Sequence, residues 1–279
     1  MNNVTKRNIL AALIASVVFT VGWSTHALGW TVAANLEQLT AGAACSGPSG
    51  LGSTAYPHSF AANTLAHGGS MSCLMSWQTG DTDNVTGASI PAPTNLVEGQ
   101  EIWSRGYYYF QSPWSWTTPT YIKVMRIHVK TAGGAAHVGY ISMLSDTNGH
   151  VIENSELASP AYNVDTGRIY DIGSWHSYEM YVKLSSTSGI VRVWKDGVLI
   201  VERLNEKTLS SSTDVVTDVL IMTAWNGGAP QNQNEYVDDF AVTSDTPTST
   251  DANGNKMIGT SSISITSAKP SAPMSLSVQ

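Results

Sequence analysis

One stretch of the chain contains no acidic residue and gathers side chains that could act on an anionic ligand. From Ile102 to Ser145 there is no Asp or Glu, although the whole chain carries 21 acidic and 14 basic residues. The cationic and titratable residues of this stretch are Arg105, Lys123, Arg126, His128, Lys130 and His137. Such groups pair with carboxylates and exchange protons, so we expect acid–base chemistry on an acidic ligand here.

The residues from 123 to 130 alternate in a way that predicts a β-strand, because successive side chains of a strand point to opposite faces. The face expected to join the core carries Met125, Ile127 and Val129. The opposite face is expected to carry Val124, Arg126, His128 and Lys130. Three cationic or titratable groups would therefore project side by side from one face of a sheet.

A second segment upstream carries a basic group among aromatic residues. Arg105, Tyr107 and Tyr109 would share one face of a strand, and Trp114 and Trp116 follow. Aromatic rings stack on a pyranose and Arg pairs with a carboxylate, so the combination suits an acidic sugar. The alternative is that these basic residues lie on the solvated face of an edge strand, where Lys and Arg discourage aggregation.

The elements that position these residues are expected to be β-strands throughout. Short alternating segments bounded by Gly, Pro, Asn and Ser run from residue 30 to residue 245. Lys195-Asp196-Gly197 predicts a tight hairpin turn between two of them. We therefore predict an all-β fold, one antiparallel β-sandwich over residues 30–245, followed by a loosely held Ser/Thr/Pro-rich tail over 246–279.

Two segments carry a family resemblance. The stretch from Gly173 to Lys183 reads GSWHSYEMYVK, and the stretch from Gly189 to Gly197 reads GIVRVWKDG. Together they resemble the concanavalin A-like lectin and glucanase jelly rolls, a superfamily that includes laminin-G-like modules and jelly-roll polysaccharide lyases. Asn226-Gly227-Gly228 and the run from Tyr236 to Phe240 resemble the closing strand of that architecture. The resemblance implies a jelly roll that engages a polysaccharide.

Arg126-Ile127-His128 is similar to the Gln-x-His motif of alginate- and heparin-lyase-like jelly rolls, with Arg in place of Gln. That resemblance implies β-elimination from a uronic acid, with Arg126 and Arg105 neutralising the carboxylate. It implies His128 as the base or its partner, and Tyr107 or Tyr109 as the acid. The catalytic residues expected are His128, Arg126, Arg105, Tyr107 and Tyr109. The substrate-binding residues expected are Lys130, Lys123, Trp114 and Trp116.

The sequence departs from the lyase pattern in two places. The R-x-E-x-R signature of alginate lyases is absent, and the late segment LIMTAWNGG offers Trp225 where those lyases have Tyr. A hydrolase would need a pair of carboxylates, and the E-x-D-x-x-E motif of jelly-roll glucanases is also absent. A non-catalytic carbohydrate-binding module and a structural or adhesive surface protein are therefore the alternatives to a lyase.

The chemistry expected needs no cofactor, but a structural Ca²⁺ is predicted. Glu37 and Asp238 resemble the early-strand Glu and final-strand Asp that hold Ca²⁺ in many carbohydrate-binding jelly rolls. Ca²⁺ prefers six to eight oxygen ligands, so backbone carbonyls and water would have to complete the site. The alternative is that Asp238 and its neighbour Asp239 cap a turn or face solvent.

The N-terminus predicts export. Lys6 and Arg7 precede an apolar run from Ile9 to Val21, which predicts a secretory signal peptide over residues 1–29, cleaved near Ala27 to Gly29. The alternative is an uncleaved membrane anchor. In the oxidising compartment that export implies, periplasmic or extracellular, the only two cysteines, Cys45 and Cys73, are expected to form a disulfide.

Composition agrees with an exported β-protein. Charged residues are 13% of the chain, its net charge is −7, and it holds 9 Trp and 11 Tyr against 4 Phe. So many aromatics argue against disorder, and the acidic balance argues against a nucleic-acid binder. We therefore expect a monomer that binds a polysaccharide, an anionic one in the lyase hypothesis, with no nucleic-acid partner and no membrane contact after signal cleavage.

Overall fold

A computed structural model describes residues 29–261, except for 35, 46–55, 84, 118–120 and 159–161. Residues 1–28 of the predicted signal peptide and residues 262–279 of the predicted tail lie outside the described residues. Across the part that is described, we find no helix with the length and apolar character needed to span a bilayer.

The described residues form 14 strands and a single 3₁₀ turn at Ala132–Gly134. In chain order the strands are β1 (Thr31–Ala34), β2 (Ser59–Ala62), β3 (Ser72–Trp77), β4 (Ala88–Leu96), β5 (Glu101–Phe110), β6 (Ile122–Lys130), β7 (His137–Ser145), β8 (His150–Ser155), β9 (Tyr162–Ile169), β10 (Trp175–Lys183), β11 (Gly189–Lys195), β12 (Val198–Glu206), β13 (Val215–Trp225) and β14 (Gln233–Thr243).

The strands form two antiparallel sheets packed face to face. Sheet A has the order β12-β11-β10-β5-β14-β3-β2, with β1 also paired to β14. Sheet B has the order β4-β13-β6-β7-β8-β9. This confirms the predicted all-β antiparallel sandwich. Non-consecutive neighbours such as β5 and β14 show that strands distant in the chain meet, as jelly-roll connections require.

The core lies between the two sheets and follows the period-two pattern of the strands. From β6 it receives Met125, Ile127 and Val129, and from β5 it receives Tyr108 and Phe110. Each of these side chains is fully buried. Burial of apolar side chains from both sheets is the main source of stability of such a sandwich.

Two local predictions are confirmed. Asp196 and Gly197 form the two-residue turn of the β11–β12 hairpin, with φ of 50° and 77°. These positive φ values are what a hairpin turn of this length requires. Cys45 and Cys73 form a disulfide, which ties β3 to the segment that precedes β2.

The segment after Asp245 packs on sheet A as far as it is described, which differs from the loosely held tail that we expected. Residues 256–261, which we call the C-terminal strap, cross the outer face of the sheet. Met257 and Ile258 are 4% and 7% exposed and pack with Trp103, Tyr181 and Trp194. Met257 and Ile258 therefore supply apolar contacts between this segment and the sheet.

Candidate functional site

The candidate site lies on the outer face of sheet B and is centred on β6. Its neighbours are β13 on one side and β7 on the other. In register, His128 lies opposite Asp218 of β13 and Tyr140 of β7. Side chains directly opposite in a sheet share a face, so these three groups meet although they are far apart in the chain.

Arg126, His128 and Lys130 share this face as predicted, whereas Val124 does not. Val124 is fully buried in the core. The pairing of β6 shifts register between Lys123 and Met125 against β7, which marks a bulge. A bulge changes the face of the residues before it, so simple alternation fails at Val124.

Arg126 is the central cation of the site. Its side chain is 8% exposed, and its Nη2 donates a hydrogen bond to Thr223 Oγ1. Its guanidinium carbon lies 4.3 Å from the ring centroid of Tyr140. Among the residues that the structure describes, no carboxylate lies within ion-pair distance of Arg126, and its Nε has no hydrogen-bond partner. A buried Arg with donors left over is a ready receptor for a carboxylate.

His128 is held at both ring nitrogens. Its Nδ1 lies 3.2 Å from Asp218 Oδ2, and its Nε2 lies 3.1 Å from Nδ1 of the exposed His137. Lys130 Nζ lies 3.5 Å from the other oxygen of the same Asp218. Although burial acts in the opposite direction, hydrogen bonds from His128 and Thr217 lower the pKa of Asp218, so its carboxylate is charged.

Tyr140 lies between the arginine and the histidines. Its ring centroid is 4.6 Å from that of His128 and 4.7 Å from that of His137. Burial raises the pKa of its hydroxyl, and the charge of Arg126 partly opposes this rise. The hydroxyl of Tyr140 is therefore protonated near neutral pH and is placed to give a proton.

Two further groups border the cluster. The pKa of Lys123 is lowered by burial and by the charge of Arg126, and its Nζ donates a 2.5 Å hydrogen bond to Asn226. Burial raises the pKa of Tyr56, while Arg126 acts in the other direction. Sequence reasoning missed Tyr56, Tyr140 and Asp218. Of these, Tyr140 carried a usable signal, because it lies within the same acid-free stretch.

Arg105, Tyr107 and Tyr109 are not brought to this cluster. They project from the outer face of sheet A, on the opposite side of the sandwich from Arg126 and His128. Arg105 is 1% exposed and donates to backbone carbonyls of Gly259, Ser261 and Asp239. The hydroxyl of Tyr107 donates to the carbonyl of Thr260 at 2.6 Å. These two side chains thus anchor the C-terminal strap, while Tyr109 is half-buried beside it.

Trp114 and Trp116 lie in the core rather than at a surface. They are 8% and 7% exposed, and their ring centroids lie 5.0 and 4.7 Å from that of Phe110. In this arrangement their ring faces are used for packing between the sheets. Stacking on a sugar, as the sequence suggested, would require them to leave the core.

Glu37 and Asp238, the residues expected to hold Ca²⁺, bracket one loop. Glu37 accepts hydrogen bonds from the backbone N–H groups of Ser70 and Met71. Asp238 accepts from those of His67 and Gly68, and burial raises its pKa to about 7. Backbone donors therefore occupy oxygens that a cation would need, and these carboxylates act here as loop anchors. The Ca²⁺ site stays a prediction.

No family model and no curated protein matches this chain. Solved structures do match. An endo-β-1,4-glucuronan lyase from the fungus Trichoderma reesei has a TM-score of 0.55 at 14% identity, covering 77% of this chain and 95% of that one. An alginate lyase, Aly36B, in complex with alginate trisaccharide has a TM-score of 0.54 at 14% identity, covering 76% and 97%.

A third match is the alginate lyase vAL-1 from Chlorella virus, with a TM-score of 0.54 at 12% identity and coverage of 66% and 89%. The chain thus shares the jelly-roll β-sandwich fold of these three solved structures. At these identities the likeness concerns the fold alone, because one fold carries many activities.

Proposed function

We propose that this protein is a polysaccharide lyase that cleaves a glycan containing uronic acid by β-elimination. The reaction would take place at the cluster of Arg126, His128 and Tyr140 on sheet B. The observation that carries the proposal is Arg126, a nearly buried guanidinium that no described carboxylate neutralises. A uronate carboxylate would supply the missing partner.

The cluster contains the three functions that β-elimination needs. Arg126 would neutralise the C6 carboxylate, which makes the C5 proton more acidic. His128 would accept that proton, and the electron pair left on C5 would form a double bond to C4. The bond from C4 to the glycosidic oxygen breaks, and Tyr140 would donate its proton to that oxygen.

Contacts of the individual groups support this assignment of base and acid. Asp218 would accept a hydrogen bond from His128 Nδ1, which leaves Nε2, 3.1 Å from Nδ1 of the exposed His137, as the nitrogen that would accept a proton. Tyr140 keeps its proton because burial raises its pKa, as an acid requires. Further support comes from three solved structures of the same fold, which are named as lyases of glucuronan or alginate.

A panel of polyuronates, followed by the ultraviolet absorbance of unsaturated product ends, tests the proposal. Arg126→Gln and Tyr140→Phe should each lower kcat/KM about 100-fold or more, because each removes one transition-state interaction. Tyr121→Phe serves as the control, since Tyr121 directly precedes β6 and its hydroxyl accepts a hydrogen bond from Asn163.

Thermal unfolding would show that the variants remain folded. Product formation that is unchanged in Arg126→Gln would refute the proposed site. Retention on a polyuronate column without any product, and loss of that retention in Arg126→Gln, would indicate a binding module at this site instead of a lyase.

We also infer that the chain is exported. The disulfide between Cys45 and Cys73 supports this, because such bonds persist in oxidising compartments.

A further inference from the structure

A row of apolar side chains crosses the outer face of sheet A, opposite the proposed catalytic face. Its members are successive register partners on five adjacent strands: Trp175, Tyr109, Tyr236, Leu74 and Phe60. The ring centroids of Tyr109 lie 5.6 Å from that of Trp175 and 6.2 Å from that of Tyr236. None of the five belongs to the two hydrophobic clusters formed by the described residues. Phe60 is 36% exposed and Trp175, Tyr109 and Leu74 are partly exposed, whereas Tyr236 is 5% exposed and links the partly exposed members.

A row of polar side chains runs parallel to it. Each polar residue is two positions from an apolar member of the first row in the same chain segment, so it is on the same face of the sheet. These residues are Gln111, Asn234, Ser76 and His58, of which Gln111 and His58 lie just beyond the ends of their strands. The Nδ2 of Asn234 donates a 3.1 Å hydrogen bond to Oε1 of Gln111, so these amides lie side by side. Together the two rows, which we call the glycan strip, offer the partly exposed rings of Trp175, Tyr109 and Phe60 beside hydrogen-bonding groups.

We propose that the glycan strip binds a neutral polysaccharide chain laid across the strands. Adjacent strands are about 4.8 Å apart, close to the length that one pyranose adds to an extended glycan. Four such steps span about 19 Å, enough for roughly four sugar rings. The C–H faces of the rings would pack on the aromatic row, and the hydroxyls would bond to the polar row.

Charge favours a neutral glycan over a polyuronate. Neither row contains Lys, Arg, Asp or Glu. Carboxylates border the strip: Asp81 lies 2.9 Å from His58 Nδ1, and Asp239 lies 2.8 Å from Nδ1 of His67, beside Trp175. An anionic chain would meet these carboxylates without a cation in either row to pair with it.

Binding at the strip is independent of the proposed catalysis. The strip is on sheet A and Arg126 is on sheet B, and the core separates them. A neutral glycan could therefore hold the protein on a matrix while the other face remains open. The two proposals fail or succeed separately, because one concerns neutral glycans and the other polyuronates.

Affinity gel electrophoresis of the full chain with a panel of soluble neutral polysaccharides (glucans, mannans and xylans), and with a polyuronate for comparison, tests the proposal. Trp175→Ala should weaken retention by a neutral polysaccharide about tenfold, and so should the double variant Phe60→Ala with Gln111→Ala. The double variant tests the proposal even if Trp175→Ala unfolds the protein. Both of its positions are at least partly exposed, so their truncation leaves the core intact. The control is Leu204→Ala, since Leu204 is 53% exposed on β12 at the far edge of sheet A.

The strip variants should leave any retention by polyuronates unchanged. No retention of the wild type by any neutral polysaccharide of the panel would overturn the proposal, as would equal losses in the Leu204 control and the strip variants. Retention that appears only after residues 262–279 are removed would also overturn it, since the occupant of the strip would then be that segment.

Discussion

Glu179 should make the stability of the protein fall as pH rises. This carboxyl is 3% exposed on sheet A and accepts hydrogen bonds from the backbone N–H groups of Ile258 and Gly259, at 2.5 and 3.0 Å. Burial raises its pKa to about 7, against the hydrogen bonds from the strap and the charge of Arg105. The carboxyl that contacts the C-terminal strap is therefore protonated in the folded protein below about pH 7.

The sign and size of the effect follow from that pKa. Between an ordinary pKa of 4.5 and a folded value of about 7, the folded state keeps a proton that the unfolded state has lost. The resulting stabilisation is fully present below pH 4.5 and is lost as the pH rises through 7. Each pKa unit corresponds to 1.36 kcal/mol, so the loss amounts to about 3 kcal/mol.

Urea unfolding at a series of pH values from 4.5 to 8 measures this effect when wild type is compared with Glu179→Gln. Glutamine keeps an oxygen that can accept from the strap but cannot ionise. The free energy of unfolding of the variant should therefore gain about 3 kcal/mol relative to wild type across this range. Asp238, whose pKa is also raised, is common to both proteins and cancels in the difference.

The control for net charge is Glu202→Gln, because Glu202 pairs with Arg192 at the edge of the same sheet. That variant should follow the pH dependence of the wild type. If the curves of Glu179→Gln and wild type run parallel from pH 4.5 to 8, the buried carboxyl does not titrate with folding and the reasoning fails.

Two further outcomes concern covalent and metal contributions. Replacing both Cys45 and Cys73 by Ser should lower the free energy of unfolding by about 3 to 4 kcal/mol, because the disulfide closes a loop of 28 residues. Urea titration measures this change, and an unchanged unfolding midpoint would contradict the prediction. If Ca²⁺ binds at Glu37 and Asp238, its addition should raise the Tm of wild type and not that of Asp238→Asn, and an identical rise in both proteins would place the ion elsewhere.

The fold could be predicted from sequence because its signals are local. Alternation with period two marks β6 and β10, and Asp196-Gly197 marks the hairpin between β11 and β12. Strands with weaker alternation could not be predicted in this way. In β4, the run Pro91 to Asn95 is mostly exposed and contains two prolines, so it does not resemble a strand in sequence.

The site could be predicted only in part, because it depends on the pairing of strands that are far apart in the chain. Arg126 and His128 share a face by their spacing alone, whereas the arrival of Asp218 depends on how β13 pairs with β6. Arg105 lies among aromatic residues in the sequence, as a sugar-binding arginine would. Its donors, however, are used by the carbonyls of the C-terminal strap, which sequence reasoning had separated from the sandwich.

The net charge of −7 does not conflict with a polyuronate ligand, because the two faces of the sandwich differ in charge. Screening limits electrostatic influence to about 8 Å at physiological ionic strength, so a sugar carboxylate responds to the groups within that distance. On sheet B these groups include Arg126, Lys123 and Lys130, with Asp218 already paired to His128 and Lys130, although Asp83 and Glu156 also act on Arg126 from a greater distance. On sheet A the glycan strip has no cation and is bordered by carboxylates. The same chain can thus bring an anionic glycan to one face and a neutral glycan to the other, and the average charge describes neither.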